Sequence, residues 1–257
     1  VLMAVHNGGS YLAAAVDSIL DQTYTDFRFL VVDDASTDDT RDAIKGYGDP
    51  RIELLCLEQN IGQTAALNVG LRHASTPWIA RMDADDYSAP TRFDEQMRAL
   101  DADPSLHCVG TYAWYFRTEP LVIESQIVTP TDHEDIMRAL LRGSPLVHGS
   151  IIVSRAALLE VGGYIDEYRY SADVEMYDRL LVKHKAATVP SYLLGVRRHG
   201  GQGSRTPRAM DENIEIFSRR LTQGSYSAED SAAIRSSLSR FYLSRAALHG
   251  GRMKYGG

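Results

Sequence analysis

The sequence predicts an α/β fold, a mostly parallel sheet flanked by helices, with a helical appendage at its C-terminus. Three observations carry this. Short apolar runs alternate with segments whose apolar residues recur at helical spacing, the pattern of right-handed β-α-β crossovers. Two of the runs end in carboxylates, Val31-Val32-Asp33-Asp34 and Trp78 to Asp86, and such sheets bind ligands at the carboxyl ends of their strands. From Pro207 onward the chain turns polar and helix-prone.

Val1 to Val5 reads as a short apolar strand that breaks at Asn7-Gly8-Gly9, a turn composition. Because Val1 already lies inside that run, a natural start upstream is expected. Ser10 can cap the next helix, where Leu12, Val16, Ile19 and Leu20 share a face. Phe27 to Val32 is the second strand. Ser36 with Asp39 three residues on has the form of a capping box. Arg51 to Leu57 is a third strand, Gly62 to His73 a helix, and Trp78 to Met82 a fourth strand. After Pro90 come a helix over Arg92 to Leu100 and a strand over Cys108 to Phe116, with Leu121 to Val128 as its pairing partner. A helix over Asp132 to Leu141, an apolar run Val147 to Val153, a helix over Val174 to His184 and a strand over Tyr192 to Arg197 follow. The tail reads as two helices broken at Gly224-Ser225.

The 257 residues, 44% of them hydrophobic, suit one large domain with an appendage. A net charge of −7 argues against nucleic acid as the main partner, since phosphate backbones call for basic patches. Nucleotides are not excluded, because a metal can hold their phosphates. Cys56 and Cys108 sit in apolar stretches and are expected to be reduced core thiols, with a disulfide left open. No apolar run approaches the roughly 18–20 residues of a membrane span. A cytoplasmic protein is therefore expected, with peripheral contact at the inner membrane face if its substrate is lipid-linked. Phe241, Tyr242 and Leu243 in the tail could serve such contact or self-association, although packing onto the domain is the simpler use.

The cluster Asp83, Asp85 and Asp86 reads either as a solvated acidic turn that starts the helix near Pro90 or as a metal site. Like charges crowded at a strand end repel and titrate upward unless something neutralises them. Mn²⁺ or Mg²⁺ would, since these ions take hard oxygen ligands, typically one or two carboxylates plus substrate phosphates.

Four strings then fall in register: Ala-Val-His-Asn-Gly-Gly-Ser-Tyr-Leu, Val-Val-Asp-Asp-Ala-Ser-Thr-Asp-Asp-Thr, Asn-Ile-Gly with Ala65, Asn68 and Gly70, and Arg-Met-Asp-Ala-Asp-Asp. Together they resemble the family 2 glycosyltransferases of GT-A fold. The likeness continues more loosely through Val-Gly-Gly-Tyr at 161–164, Ala-Asp at 172–173 and Arg-Arg-His at 197–199, and fades after Arg205. It implies a GT-A domain over residues 1–205, with a nucleotide-binding half (1–105) and an acceptor-binding half (106–205), followed by a helical extension over 206–257.

The resemblance also implies roles. Asp33 or Asp34 would hydrogen-bond the base or ribose of a sugar nucleotide; capping of the next helix is the structural reading of Asp34. Val5, Asn7 and the glycines after it would let backbone approach the nucleotide. Asn60 and Gly62 would shape the next turn, and Asn68 would either line the pocket or bond structurally. Asp83, Ala84 and Asp85 form a DxD motif, in which Asp85 binds Mn²⁺ or Mg²⁺ and Asp83 reaches ribose or metal. Arg81 would reach a phosphate or pair with a neighbouring carboxylate. His199, in Arg198-His199-Gly200-Gly201-Gln202, fits a lid over the diphosphate that touches the metal, or an ordinary loop.

Family 2 enzymes generally invert the anomeric centre, which calls for a base to deprotonate the acceptor hydroxyl. Registering on Arg179 puts Asp173 at that position. Ala172 replaces the usual acidic or Gln residue before it, so Glu175 stays as second candidate. His148 would face the acceptor, or be a satisfied core histidine.

Rival classes fit less well. No G-x-G-x-x-G follows the first strand, as a dinucleotide-dependent dehydrogenase would need, and no P-loop is present. A nucleotidyltransferase wants a basic first loop, yet no Lys or Arg lies between Val1 and Phe27. A non-catalytic scaffold that binds sugar nucleotides could dispense with Asp173. The expectation is a metal-dependent inverting glycosyltransferase, taking a sugar from a nucleoside diphosphate, preferably uridine-linked, to a hydroxyl of a glycan, glycolipid or small acceptor.

Overall fold

The computed structural model describes residues 1–200 and 206–250. Strands β1 (Leu2–Val5), β2 (Phe29–Asp33) and β3 (Ile52–Cys56) pair in parallel in that order, Leu2 opposite Leu30 and Leu30 opposite Glu53. The chain just beyond β4 (Trp78–Ala80) joins β1 on its other side, where the Met82 N–H donates to the Leu2 carbonyl at 3.2 Å. This makes β1 an interior strand, which is why all four of its residues are buried and why it reads as an unbroken apolar run.

Alternation along the strands sorts the core into two layers. Leu2, Ala4, Leu30 and Val32 pack with α3 (Gln63–His73) and α7 (Ala172–Lys183). Met3, Val5, Phe29 and Val31 pack with α1 (Leu12–Leu20), α2 (Thr40–Gly46) and α4 (Arg92–Ala102). Helix α3 lies so close that a Cβ on Gly70 would stand 2.3 Å from Leu2 Cδ1.

The second half of the sheet is mixed. Strand β4 runs antiparallel to β8 (Ile152–Ser154), β8 to β6 (Leu106–Phe116), and β5 (Tyr87–Ser88) to β9 (Lys185–Arg197), whereas β6 and β9 are parallel. Short β7 (Ser125–Ile127) extends the edge of β6, leaving Leu121, Val122 and Ile123 exposed at the hairpin tip. Strand β9 is longer than the sequence suggested. Pro190 interrupts the pattern, and the structure absorbs it in a bulge: Thr111 faces Val189 and Tyr112 faces Tyr192, so two residues are skipped. Helices α5 (His133–Leu140) and α6 (Arg155–Glu160) complete the body, α6 being unforeseen in the sequence.

The tail forms the two expected helices, α8 (Pro207–Gln223) and α9 (Ala228–Gly250), with Thr206 Oγ1 accepting the Ala209 N–H at 3.2 Å as the α8 cap. Ile216, Phe217 and Ile234 pack on Tyr168 and Val174. Phe241 stacks on Phe217 with ring centroids 5.1 Å apart, while Tyr242 and Leu243 stay exposed. No helix among the described residues is long and apolar enough to cross a membrane.

Two local expectations are corrected. The Ser36–Asp39 capping box does not form: α2 starts at Thr40 without a side-chain cap, and Ser36 Oγ instead accepts the Asn7 N–H. Both cysteines are free, but Cys56 is exposed because β3 is an edge strand, and only Cys108 is a core thiol.

Candidate active site

The carboxyl ends of β1, β2 and β4 meet around one cavity of about 580 Å³. At the end of β1, beyond Val5, Asn7 turns the chain with φ of 53°, a left-handed conformation that Asn tolerates better than most residues. Its side-chain oxygen accepts the Thr37 N–H at 2.8 Å, tying this turn to the end of β2. Val5, Asn7 and Tyr11 line the cavity.

The two β2 carboxylates, interchangeable in the sequence, have different surroundings. Asp33 is fully buried, paired with Arg41 and accepting the Ser36 N–H, and does not line the cavity. Asp34 does line it. Its two oxygens accept the Ile61 and Gly62 N–H groups at 2.7 and 2.8 Å, so it braces the turn before α3 rather than capping α2. Asn60 donates to the Asp34 carbonyl at 3.3 Å, and Gly62 supplies the φ of 89° that this turn requires. Asn60 and Gly62 face a neighbouring cavity instead. Asn68 is wholly engaged elsewhere, giving to the Tyr164 carbonyl (2.7 Å) and Asp166 (3.0 Å) and accepting the Tyr164 N–H (2.9 Å). Of its two readings, the structural one describes its contacts.

The acidic cluster beyond β4 lies in the middle of the cavity wall. Asp83 pairs with buried Arg81 and accepts from Gln63 Nε2 at 3.1 Å. Burial opposes its ionisation, but Arg81 outweighs this and holds the carboxyl below its usual range. Asp85 goes the other way: burial, then the charge on Asp83, raises it in spite of His199, whose Nε2 lies 2.8 Å from Asp85 Oδ2. Asp86 is raised further by burial and by both neighbours. One carboxylate is thus compensated while two are strained toward protonation, which is a local shortage of positive charge. Ala84 lines the cavity between them.

Arg197, the first residue of the Arg-Arg-His string and given no role of its own from the sequence, organises this loop. Its backbone N–H donates to Asp86 Oδ1 at 2.9 Å and its Nε to the Asp85 carbonyl at 2.9 Å. Nη1 reaches the carbonyls of Arg117 and Thr118, and the guanidinium lies between the rings of Tyr11 and Phe116. His199 follows, its ring 5.0 Å from that of Tyr11. Gly201 and Gln202 of the lid expected from the sequence lie outside the described residues.

His148, Arg169, Tyr170 and Asp173 also line the cavity. Burial raises the Asp173 carboxyl, partly offset by the Ser144 hydroxyl 2.9 Å from Oδ2. His148 shares a hydrogen bond with the Tyr164 hydroxyl at 2.8 Å, and burial, then Arg81, pushes it down to about 3, so the ring is neutral. Glu175 does not line the cavity. It is buried and paired with Arg179 and Arg219, which leaves Asp173 as the carboxylate facing the space. The loop before Asp173 is held from α8, where Glu212 accepts the N–H groups of Arg169, Tyr170 and Ser171 at 3.0, 2.7 and 3.0 Å. No sequence signal pointed to Glu212, which is 43 residues from Arg169.

The donor set suits Mn²⁺ or Mg²⁺ bound jointly with phosphate. Asp85 and His199 offer a carboxylate and an imidazole side by side, and Asp83 lines the same cavity. Among the described residues no group of three or more His, Cys, Asp or Glu is placed to hold a metal ion. A divalent ion here would therefore need ligand oxygens to finish its shell.

Comparison with known proteins agrees with this arrangement. The family model for Glycosyl transferase family 2 matches residues 1–162. An uncharacterized glycosyltransferase of Haemophilus influenzae is 29% identical over 215 residues, 79% of this chain and 66% of the relative, so the chain spans about two thirds of that protein's length. The UDP-Glc:alpha-D-GlcNAc-diphosphoundecaprenol beta-1,3-glucosyltransferase WfaP of Escherichia coli is 27% identical, covering 79% of this chain and 78% of its own. Among solved structures, S. aureus TarS 1–349 in complex with UDP-GlcNAc superposes with a TM-score of 0.75 at 17% identity, over 94% of this chain and 72% of that one. The mannosyltransferase PcManGT of Pyrobaculum calidifontis, in complex with GDP-Man and Mn²⁺, gives 0.70 at 19% identity, over 100% and 75%. These two share the fold. With a family match over residues 1–162 and strand-end carboxylates gathered on one cavity, the chain belongs to glycosyltransferase family 2, with the GT-A fold.

Proposed function

We propose that the protein is a metal-dependent, inverting glycosyltransferase that uses a nucleoside-diphosphate sugar, preferably uridine-linked, and a lipid-linked or other glycan hydroxyl as acceptor. The observation that carries this is one cavity lined together by Asp34, Asp83, Asp85, His199 and Asp173. The names of WfaP, with a UDP-Glc donor and a diphosphoundecaprenol acceptor, and of the TarS complex support the choice of donor and acceptor class. A lipid-linked acceptor implies peripheral contact with a membrane face.

In this reading Val5, Asn7 and Asp34 receive the nucleoside, and Arg81 together with Asp83 and Ala84 lies along the ribose and phosphates. Asp85 and His199, with Asp83, would hold Mn²⁺ or Mg²⁺, which neutralises the charge developing on the departing nucleoside diphosphate. Asp173 takes the proton of the acceptor hydroxyl as that oxygen bonds to the anomeric carbon and the bond to the leaving phosphate breaks. Its raised carboxyl suits a base working near neutrality better than an ordinary Asp. Neutral His148 orients the acceptor by hydrogen bonding, without carrying charge.

The test is a calorimetric titration of UDP, GDP, dTDP and CDP, each with and without Mn²⁺, into the wild type and Asp85→Ala. One diphosphate should bind with metal only, and Asp85→Ala should abolish it. If none binds under any condition, the sugar-nucleotide reading fails. Metal-dependent binding without sugar transfer in Asp173-intact protein would favour a non-catalytic scaffold, and turnover of a nucleoside triphosphate a nucleotidyltransferase.

A further inference from the structure

A second cavity, of about 320 Å³, adjoins the first, and Arg169 lines both. Asn60, Gly62 and Thr64 line one part of it, Asp166, Arg169 and Arg208 the rest. The guanidinium of Arg169 lies against the Gly62 turn, 3.4 Å from where a Cβ on Gly62 would stand. Among the arginines of the two cavities, Arg81 pairs with Asp83 and Arg208 loosely with Glu212 at 3.3 Å; Arg169 has no carboxylate partner among the described residues. Asp166 contributes the opposing carboxylate, and one of its oxygens already accepts from Asn68 at 3.0 Å. Of the two guanidinium groups, Arg208 has Glu212 as a partner from outside the cavity lining, and Arg169 is left to face Asp166, whose carboxylate is already engaged.

The position of this basic pocket is informative. The loop that carries Arg169 continues to Asp173 and is fastened by the three amide bonds to Glu212. In the transferase reading the donor's phosphates lie with Asp85 and His199, neither of which lines this second cavity. Arg169 also lines the cavity that holds Asp173, so an anion held between Arg169 and Arg208 is near the loop that carries the base. We propose that this cavity is an anion subsite for the diphosphate of a lipid-diphosphate-linked acceptor, whose reactive hydroxyl would be one sugar ring away from its own phosphates. The proposal rests on the glycosyl-transfer reading above. Arginine suits the task because its planar fork binds phosphate oxygens in pairs.

The experiment titrates inorganic pyrophosphate into the full chain in EDTA, followed by calorimetry. The wild type should bind it. The pair Arg169→Gln with Arg208→Gln should bind at least about tenfold more weakly, Arg169→Lys with Arg208→Lys should recover much of the affinity, and Asp85→Ala should bind as the wild type does. Absence of binding to the wild type, retention in the Gln pair, or loss in Asp85→Ala would each overturn the proposal, the last because the anion would then be in the donor's diphosphate site. Should the Gln pair not fold by circular dichroism, Arg169→Gln alone carries the reading. A parallel titration of UDP with Mn²⁺ tests the transferase reading separately and should be unchanged in Arg208→Gln, whose side chain lines only the second cavity.

Discussion

Replacing Glu212 with Gln tests whether the C-terminal helices support the chemistry. The carboxylate is only 6% exposed, and its Oε2 serves the Tyr170 and Ser171 amides while Oε1 serves Arg169. Gln retains one oxygen. In its better orientation that oxygen keeps Tyr170 and Ser171, and the new NH₂ meets the Arg169 N–H donor to donor. Two bonds thus drop from charged to neutral, and the Arg169 bond and the exposed Arg208 contact, both to Oε1, are lost. Bonds to a charged acceptor contribute about 1.5–3 kcal/mol and neutral ones about 1 kcal/mol. Since four contacts to one carboxylate are not additive, a loss of roughly 2–4 kcal/mol is expected. In a chain of this size that lowers the melting temperature by roughly 5–15 °C. Asp173 lies two residues past Ser171, so kcat should fall at least about tenfold as the base loses its placement, while metal-dependent nucleotide binding stays intact. Urea denaturation, a thermal scan and steady-state kinetics read these three quantities. A variant within about 0.5 kcal/mol of the wild type, with unchanged kcat, would refute the reasoning.

Three further outcomes are expected. Ser144→Ala removes the hydroxyl that favours ionised Asp173, so the acid limb of the kcat/KM profile should move to higher pH. The sign follows from a carboxyl already raised by burial, whose ionised form loses its one side-chain donor; a limb that stays put would show that Asp173 is not the titrating base. Arg197→Lys keeps a charge but cannot span Asp85, Arg117 and Thr118 together. Metal-dependent nucleotide affinity should drop about tenfold, with calorimetry as the check. Gly70→Ala drives a methyl group into Leu2 and Val32 and should cost about 1–3 kcal/mol in urea denaturation, although Ala is otherwise the better helix former.

The sequence disclosed whatever depends on short-range order. Apolar strands, helical spacing and acidic strand ends are local patterns, so β1 to β4, α3 and the positions of Asp34, Asp83 and Asp85 around one cavity were legible. Long-range contacts were not. Nothing near Asp33 announces that Arg41 will neutralise it, nor anything near Asn68 that Tyr164 will occupy it. Pro190 hid half of β9 because a bulge can absorb a proline that the alternation pattern cannot. Arg197 looked like one basic residue among several, and only its placement between two aromatic rings and four main-chain or carboxylate oxygens distinguishes it.

That same Arg197 has a bearing on how the scaffold diversifies. Its grip on the β6–β7 hairpin is to the carbonyls of Arg117 and Thr118, atoms that every amino acid possesses. The tip beyond, Leu121 to Ile123, is exposed and bears no part of that anchor. Substitutions and length changes there leave the hold on the acidic loop as it was, so the outer end of the hairpin is free to vary while the arrangement of Asp85 and Asp86 is kept.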